Sequence, residues 1–161
     1  LPEGVVSLEG WAFRDCTALC AVGLPLTLAA VKKGAFWGCS SLKEFVLPQG
    51  VNMLDQGVLA NCTSLEKVVL HDGVLSIGYG AFYNCAAVES ITVPPAVVNV
   101  GDQAFRSCRS LKELRVMCEA APMSIHVLCC ACRRVRSASM VLLRCGSGSA
   151  MSRRCSKKVA S

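Results

Sequence analysis

The chain has 161 residues, of which 53% are hydrophobic and 17% charged, enough apolar material for one ordered domain plus a tail. No apolar run reaches the roughly 18 residues that a membrane-spanning helix needs. The net charge of +6 is uneven: residues 1–116 carry nine Lys/Arg against ten Asp/Glu, whereas residues 117–161 carry eight Lys/Arg and the single acidic Glu119. The two parts are therefore separate problems.

The chain opens on Leu1, and "LPEGVVSL" has neither the basic start nor the apolar core of a secretory signal. The simplest reading is a chain that begins inside a longer protein. A strict 23-residue step then sets in. Phe13 and Cys16 are followed by Phe36 and Cys39, Leu59 and Cys62, Phe82 and Cys85, and Phe105 and Cys108. Leu19, Leu42, Leu65, Val88 and Leu111 keep the same step, as do Val5, Leu28, Val51, Val74 and Val97. So do Leu8, Val31, Leu54, Ile77 and Val100. Columns this regular, at a period between 20 and 29 residues, predict a solenoid whose coils stack their apolar residues on one another.

Within each coil the elements follow in order. "LKEFVL", "LEKVVL", "VESITV" and "LKELRV" have apolar first, fourth and sixth residues and predict short strands. Each can satisfy its backbone only against the next coil, which gives a parallel sheet at a spacing of about 4.8 Å. Pro2, Pro25, Pro48 and Pro94 occupy a corner where a missing N–H costs little. A second extended piece such as "VLSI" follows, and Ala-Phe-x-x-Cys is expected to make about one helical turn facing inward. Phe fills the coil and Cys plugs its corner.

"AFWGCSSLKEFVLPQGV" and its copies resemble the BspA-like, or Treponema-type, class of leucine-rich repeats over residues 1–116. The resemblance implies a leucine-rich repeat solenoid, α/β or β-rich, with a parallel sheet of five 23-residue coils. It also implies a secreted or cell-surface binding or adhesion protein. Departures are few: "PLTLAAV" lacks a glycine, Val58-Leu59 replaces Ala-Phe, and His71 replaces Pro. Residues 117–132 read as a degenerate half-coil cap, since Arg134 falls in the leucine column. Residues 133–161, rich in Ser and Arg and without period, read as a disordered basic tail.

Candidate chemistry is sparse. Cys16, Cys39, Cys62, Cys85 and Cys108 fall within disulfide reach of one another, yet in-register side chains point the same way, so free buried thiols are expected. In the tail, "LCCACRR" lacks the second pair of ligands that zinc sites carry. "HVLCCACRRVR" would suit acylation and membrane tethering. "RRVR" and "RRCSKK" lack the interleaved aromatics that stack nucleic-acid bases. His71 and His126 share no motif with a nucleophile or carboxylate, and Asn61-Cys62-Thr63 matches a glycosylation acceptor. No enzyme, cofactor, metal or small-molecule substrate is expected.

The strand residues between core positions are expected to face outward in two columns on the concave sheet. One is Ala21, Glu44, Lys67, Ser90 and Glu113; the other is Gly23, Val46, Val69, Thr92 and Arg115. A flat repeated face suits a protein partner. The alternative is an intracellular scaffold whose Cys-rich basic tail contacts membrane or nucleic acid.

Overall fold

The computed structural model describes residues 1–118, 140–145 and 149–154. Residues 1–118 form five stacked coils of strands and turns, with no helix among the described residues. Two columns of strands run along the stack. The first contains β1 (Ser7–Leu8), β2 (Ala30–Val31), β4 (Met53–Leu54), β6 (Ser76–Ile77) and β8 (Asn99–Val100). The second contains β3 (Glu44–Val46), β5 (Lys67–Val69), β7 (Ser90–Val93) and β9 (Glu113–Cys118). Pairing is parallel and steps by one coil, as in Glu44 opposite Lys67 and Ser90 opposite Glu113. The ladders lapse between β2 and β4 and between β5 and β7, although these strands still lie side by side.

Alternation explains the strands. Leu8, Val31, Leu54, Ile77 and Val100 are buried, while their strand neighbours Ser7, Ala30, Met53, Ser76 and Asn99 are not. Phe45, Ile91 and Leu114 are buried between outward residues of the second column. After that column the chain turns. Val51 N donates to Pro48 O at 3.0 Å and Val97 N to Pro94 O at 3.2 Å. His71 makes the same turn, with Val74 N on His71 O at 3.2 Å. Its ring also meets Val51 O through Nε2 at 2.9 Å and accepts Gly73 N at Nδ1. A histidine can thus replace proline here because its side chain adds hydrogen bonds in place of a fixed φ.

The Ala-Phe-x-x-Cys segment is not the helical turn expected from its spacing. Alternate amides donate locally and across coils. In coil 2, Ala35, Trp37 and Cys39 donate to carbonyls three residues back, while Gly34, Phe36 and Gly38 donate to Gln56, Val58 and Ala60 of coil 3. The same lattice recurs from coil 1 to coil 2, from 3 to 4 and from 4 to 5. Past its first turn an α-helix directs consecutive amides within its own segment, which does not give the alternation seen here. The alternation requires positive φ at two columns. One is Trp11, Gly34, Gly57, Gly80 and Gln103; the other is Asp15, Gly38, Asn61, Asn84 and Ser107.

The core lies between the strand columns and these turns. Phe13 stacks on Phe36 at 5.3 Å and Phe82 on Phe105 at 5.6 Å, in each case with the ring planes nearly parallel. Phe45 closes edge-on against Phe36 at 5.5 Å. Leu59, buried with Val58, separates the two phenylalanine pairs. Each such side chain contributes about 1.5–3 kcal/mol by leaving water, and no single coil could supply a partner surface for itself.

Coil 1 departs from the expected pattern. Cys16 is exposed and Phe13 and Leu19 are only partly buried, because no coil lies on their outer side among the described residues. No strand forms over Ala21 to Gly23. At the other end, β10 (Met140–Cys145) pairs parallel with β9 after a step of 27 residues and antiparallel with β11 (Ser149–Arg154). Both strands fall in the stretch read as a disordered tail. Most of the expected half-coil cap, residues 119–132, lies outside the described residues.

Candidate functional site

The second strand column builds the surface on which partner contacts were expected. Glu44, Val46, Lys67, Val69, Ser90, Thr92 and Arg115 are exposed there, and Glu113 is half-buried. Val46 and Val69 stand opposite each other in the ladder with 49% and 39% of their surface in water. Ala21 is also exposed but precedes any strand of that sheet. The charges on this face are matched between and within coils. Glu44 bridges to Lys67, Glu89 to Lys112 at 2.8 Å, and Glu113 to Arg115 at 2.8 Å. Glu113 raises the already high pKa of Arg115. Exposed pairs of this kind add little to stability, so their main effect is to favour the in-register stacking and leave the face nearly neutral. Its accessible apolar features are the Val46–Val69 stripe and, on β9, Met117.

The cysteine column forms a second regular array. Cys39 Sγ donates to Phe13 O at 3.1 Å, Cys62 to Phe36 O at 3.2 Å, Cys85 to Leu59 O at 3.2 Å and Cys108 to Phe82 O at 3.1 Å. Each thiol therefore satisfies a carbonyl of the preceding coil, and all four are buried. Burial is the main cause that pushes Cys39 up to about 11 and Cys62 up to about 12, and it raises Cys85 well above its usual value. These groups are neutral packing elements that also donate. Phe36, Leu59, Phe82 and Phe105 lie fully buried beside them.

Other candidates separate in space. Asn61 is half-buried at φ 62°, and its Oδ1 accepts Asn84 Nδ2 at 3.0 Å, so its amide takes part in an Asn–Asn contact between coils. Thr63 Oγ1 donates to Ser40 O. Among the described residues no group of three His, Cys, Asp or Glu is placed to hold a metal, and no helix is long and apolar enough to cross a membrane. The acylation, zinc and nucleic-acid candidates of the tail, including His126, lie outside the residues whose side chains are described.

One surface was missed by the sequence reading. Trp11 and Trp37 meet edge-to-face at 5.7 Å on the turn side, opposite the sheet columns, with Arg14 and Lys33 against the Trp11 ring at 5.1 and 5.8 Å. Arg106 stands over Tyr83 at 5.9 Å further along. The available signal was Arg14, Trp37, Ala60, Tyr83 and Arg106, one 23-residue column whose members share no single property.

Comparison with known proteins gives one consistent answer. The family model for the BspA type leucine rich repeat region matches residues 1–112 in six copies. A leucine-rich repeat protein of T. pallidum superposes with a TM-score of 0.68 at 30% identity, over 71% of this chain and 54% of its own. One from Bacteroides ovatus gives 0.64 at 25% identity, over 71% and 37%. A leucine rich cell surface protein from Faecalibacterium prausnitzii gives 0.63 at 26%, over 72% and 30%. The chain thus spans about a third to a half of the length of these structures. No curated protein matches. The stacked coils, their inward Phe and Cys columns and the family match agree: the chain belongs to the BspA-type leucine-rich repeat family.

Proposed function

We propose that this chain is a non-enzymatic binding or adhesion module, part of a longer surface-exposed repeat protein, that docks a protein partner on the concave sheet. The fold is that of leucine-rich repeat solenoids, which generally mediate protein interactions. The observation that carries the reading is the Val46–Val69 stripe. It is an exposed apolar pair on a rigid parallel sheet, flanked by charges already paired with one another. Such a strip offers a partner apolar contact without a large desolvation cost. The remaining outward residues, Ser90, Thr92, Glu113 and Arg115, extend the contact along the axis, with Ala21 at its margin.

The test is adhesion of beads coated with the chain to purified collagen, laminin and other matrix glycoproteins. The comparison is a Val46→Thr/Val69→Thr double variant. Threonine keeps the β-branched shape that suits a strand, so the fold stays intact while the apolar contact is lost. Adhesion by the parent and at least about a tenfold weaker affinity for the variant are expected. Equal adhesion by both would remove the concave stripe from the account. The alternative, an intracellular scaffold with a basic tail, predicts salt-sensitive binding to anionic vesicles or DNA that disappears when residues 133–161 are deleted.

A further inference from the structure

One sequence motif is not absorbed by the concave reading. The chain has four asparagines, Asn52, Asn61, Asn84 and Asn99, and only Asn61 is followed two positions on by a hydroxyl residue, in Asn61-Cys62-Thr63. That is the pattern at which an asparagine side chain accepts an oligosaccharide. Asn84, one coil later, is followed by Cys85 and Ala86 and lacks the hydroxyl.

Backbone conformation accounts for asparagine at this place but not for the threonine. Asn61 holds φ 62° and Asn84 φ 57°, in a column completed by Asp15, Gly38 and Ser107. Asparagine is enriched in that left-handed region whatever follows it. The column two positions on reads Thr17, Ser40, Thr63, Ala86 and Arg109. Asparagine and hydroxyl therefore coincide in coil 3 alone.

The acceptor nitrogen stands apart from the packing. Asn61 Oδ1 accepts Asn84 Nδ2 at 3.0 Å, so the carbonyl end of the side chain is held between coils. Asn61 Nδ2 bonds to nothing among the described residues. Among those residues no buried side-chain nitrogen or oxygen is left without a partner, so this nitrogen reaches solvent. A sugar on Nδ2 thus leaves the Oδ1 contact in place and the buried Leu59 and Cys62 undisturbed. The turn lies apart from the second strand column, so the Val46–Val69 stripe stays clear.

The same geometry fixes when the modification occurs. Asn61 N donates to Tyr83 O at 2.7 Å, Cys62 N to Leu59 O at 3.3 Å and Thr63 N to Asn61 O at 3.0 Å. A transferase that grips the amide and the hydroxyl together needs this segment unpaired. Transfer therefore precedes the stacking of coil 4 on coil 3, as the chain enters the secretory compartment.

We propose that Asn61 is an N-glycosylation site whose glycan stands on the turn side of coil 3. This rests on the surface-exposed reading above, because the donor, a lipid-diphosphate-linked oligosaccharide, is met on the secretory route. In the transfer, Nδ2 forms a bond to C1 of the first sugar and the bond from C1 to the diphosphate oxygen breaks. The lipid diphosphate leaves with that electron pair, and one amide proton is released. The product keeps one N–H, and Oδ1 still accepts Asn84 Nδ2.

For the test, the full chain behind a cleavable secretory signal is expressed in mammalian cells and collected from the medium. Its mass is measured before and after peptide N-glycosidase F, which converts a glycosylated asparagine to aspartate, and the converted position is located by peptide mass spectrometry. Conversion at position 61 is expected, with complete loss of the glycan in Asn61→Gln and in Thr63→Ala and its retention in Thr63→Ser. Thr63 is exposed, so the two threonine variants keep the fold and test the motif itself. A secreted chain with Asn61 unmodified, or a glycan retained in Thr63→Ala, would overturn the proposal. Because the signal imposes the compartment, either outcome falls on the acceptor site alone, and the adhesion test above judges the surface reading separately.

Discussion

Cys39, Cys62 and Cys85 are kept neutral and useful by the same circumstance. Burial disfavours the thiolate, and the carbonyl of the preceding coil gives the thiol proton an acceptor. A raised pKa in the folded state carries a pH consequence of definite sign. Below the ordinary thiol value near 9 both folded and unfolded chains hold the proton, and stability is unaffected. Above it the unfolded chain ionises first, so stability falls as pH rises through the interval from about 9 to the folded values of about 11 for Cys39 and about 12 for Cys62. Thermal midpoints recorded from pH 7 to 11 are therefore expected to stay level with respect to these groups and then drop. Replacing Cys62 and Cys85 by alanine should flatten the alkaline drop, although the lost packing would lower the midpoint throughout. The sequence made the burial of these residues legible because five cysteines held one step. It did not show that the thiol proton has a fixed recipient, since the acceptor is a backbone atom 26 residues away.

At the scale of elements, the strands could be read and the turns could not. Glu44–Val46, Lys67–Val69, Ser90–Val93 and Glu113–Cys118 arise where alternating apolar residues predict them. The Ala-Phe-x-x-Cys segment has the spacing of a helical face, but its alternate amides serve the next coil. That choice depends on left-handed backbone at two columns, and those columns contain Trp, Gln, Asp, Asn and Ser as well as Gly. A mixed column hides its conformational requirement from a reading by residue type. Close approach between coils is a related feature. A Cβ on Gly101 would lie 2.4 Å from Tyr79 N and 2.6 Å from Gly78 C, backbone atoms that a side-chain rotation cannot move. Gly101→Ala is expected to destabilise the chain by about 1–3 kcal/mol, read as a lower denaturation midpoint in urea. An unchanged midpoint would mean that coils 4 and 5 can separate there at little cost.

Across the whole molecule, repetition produces surfaces of different character from one core. The second strand column has matched charges around an aliphatic stripe, whereas the turn side has Trp11 and Trp37 in edge-to-face contact with cations beside them. The outward columns could be anticipated because strand alternation dictates which residues face away from the core. The Trp11–Trp37 contact could not, since its rings come from different columns and meet only when coils stack. Coil 1 shows the same dependence on neighbours: positions 13 and 16 carry the right residues, yet their burial is incomplete where no coil among the described residues covers them. The central claim is that the coils stack in register with one cysteine sealed beneath each successive coil. Thiol alkylation of the native chain at pH 8, with each modified residue located by mass spectrometry, tests it most directly. Rapid labelling at Cys16 and Cys20, with Cys39, Cys62, Cys85 and Cys108 protected until denaturant is added, is the expected result. Labelling of those four at the rate of Cys16 in the folded chain would contradict the stacked-coil account.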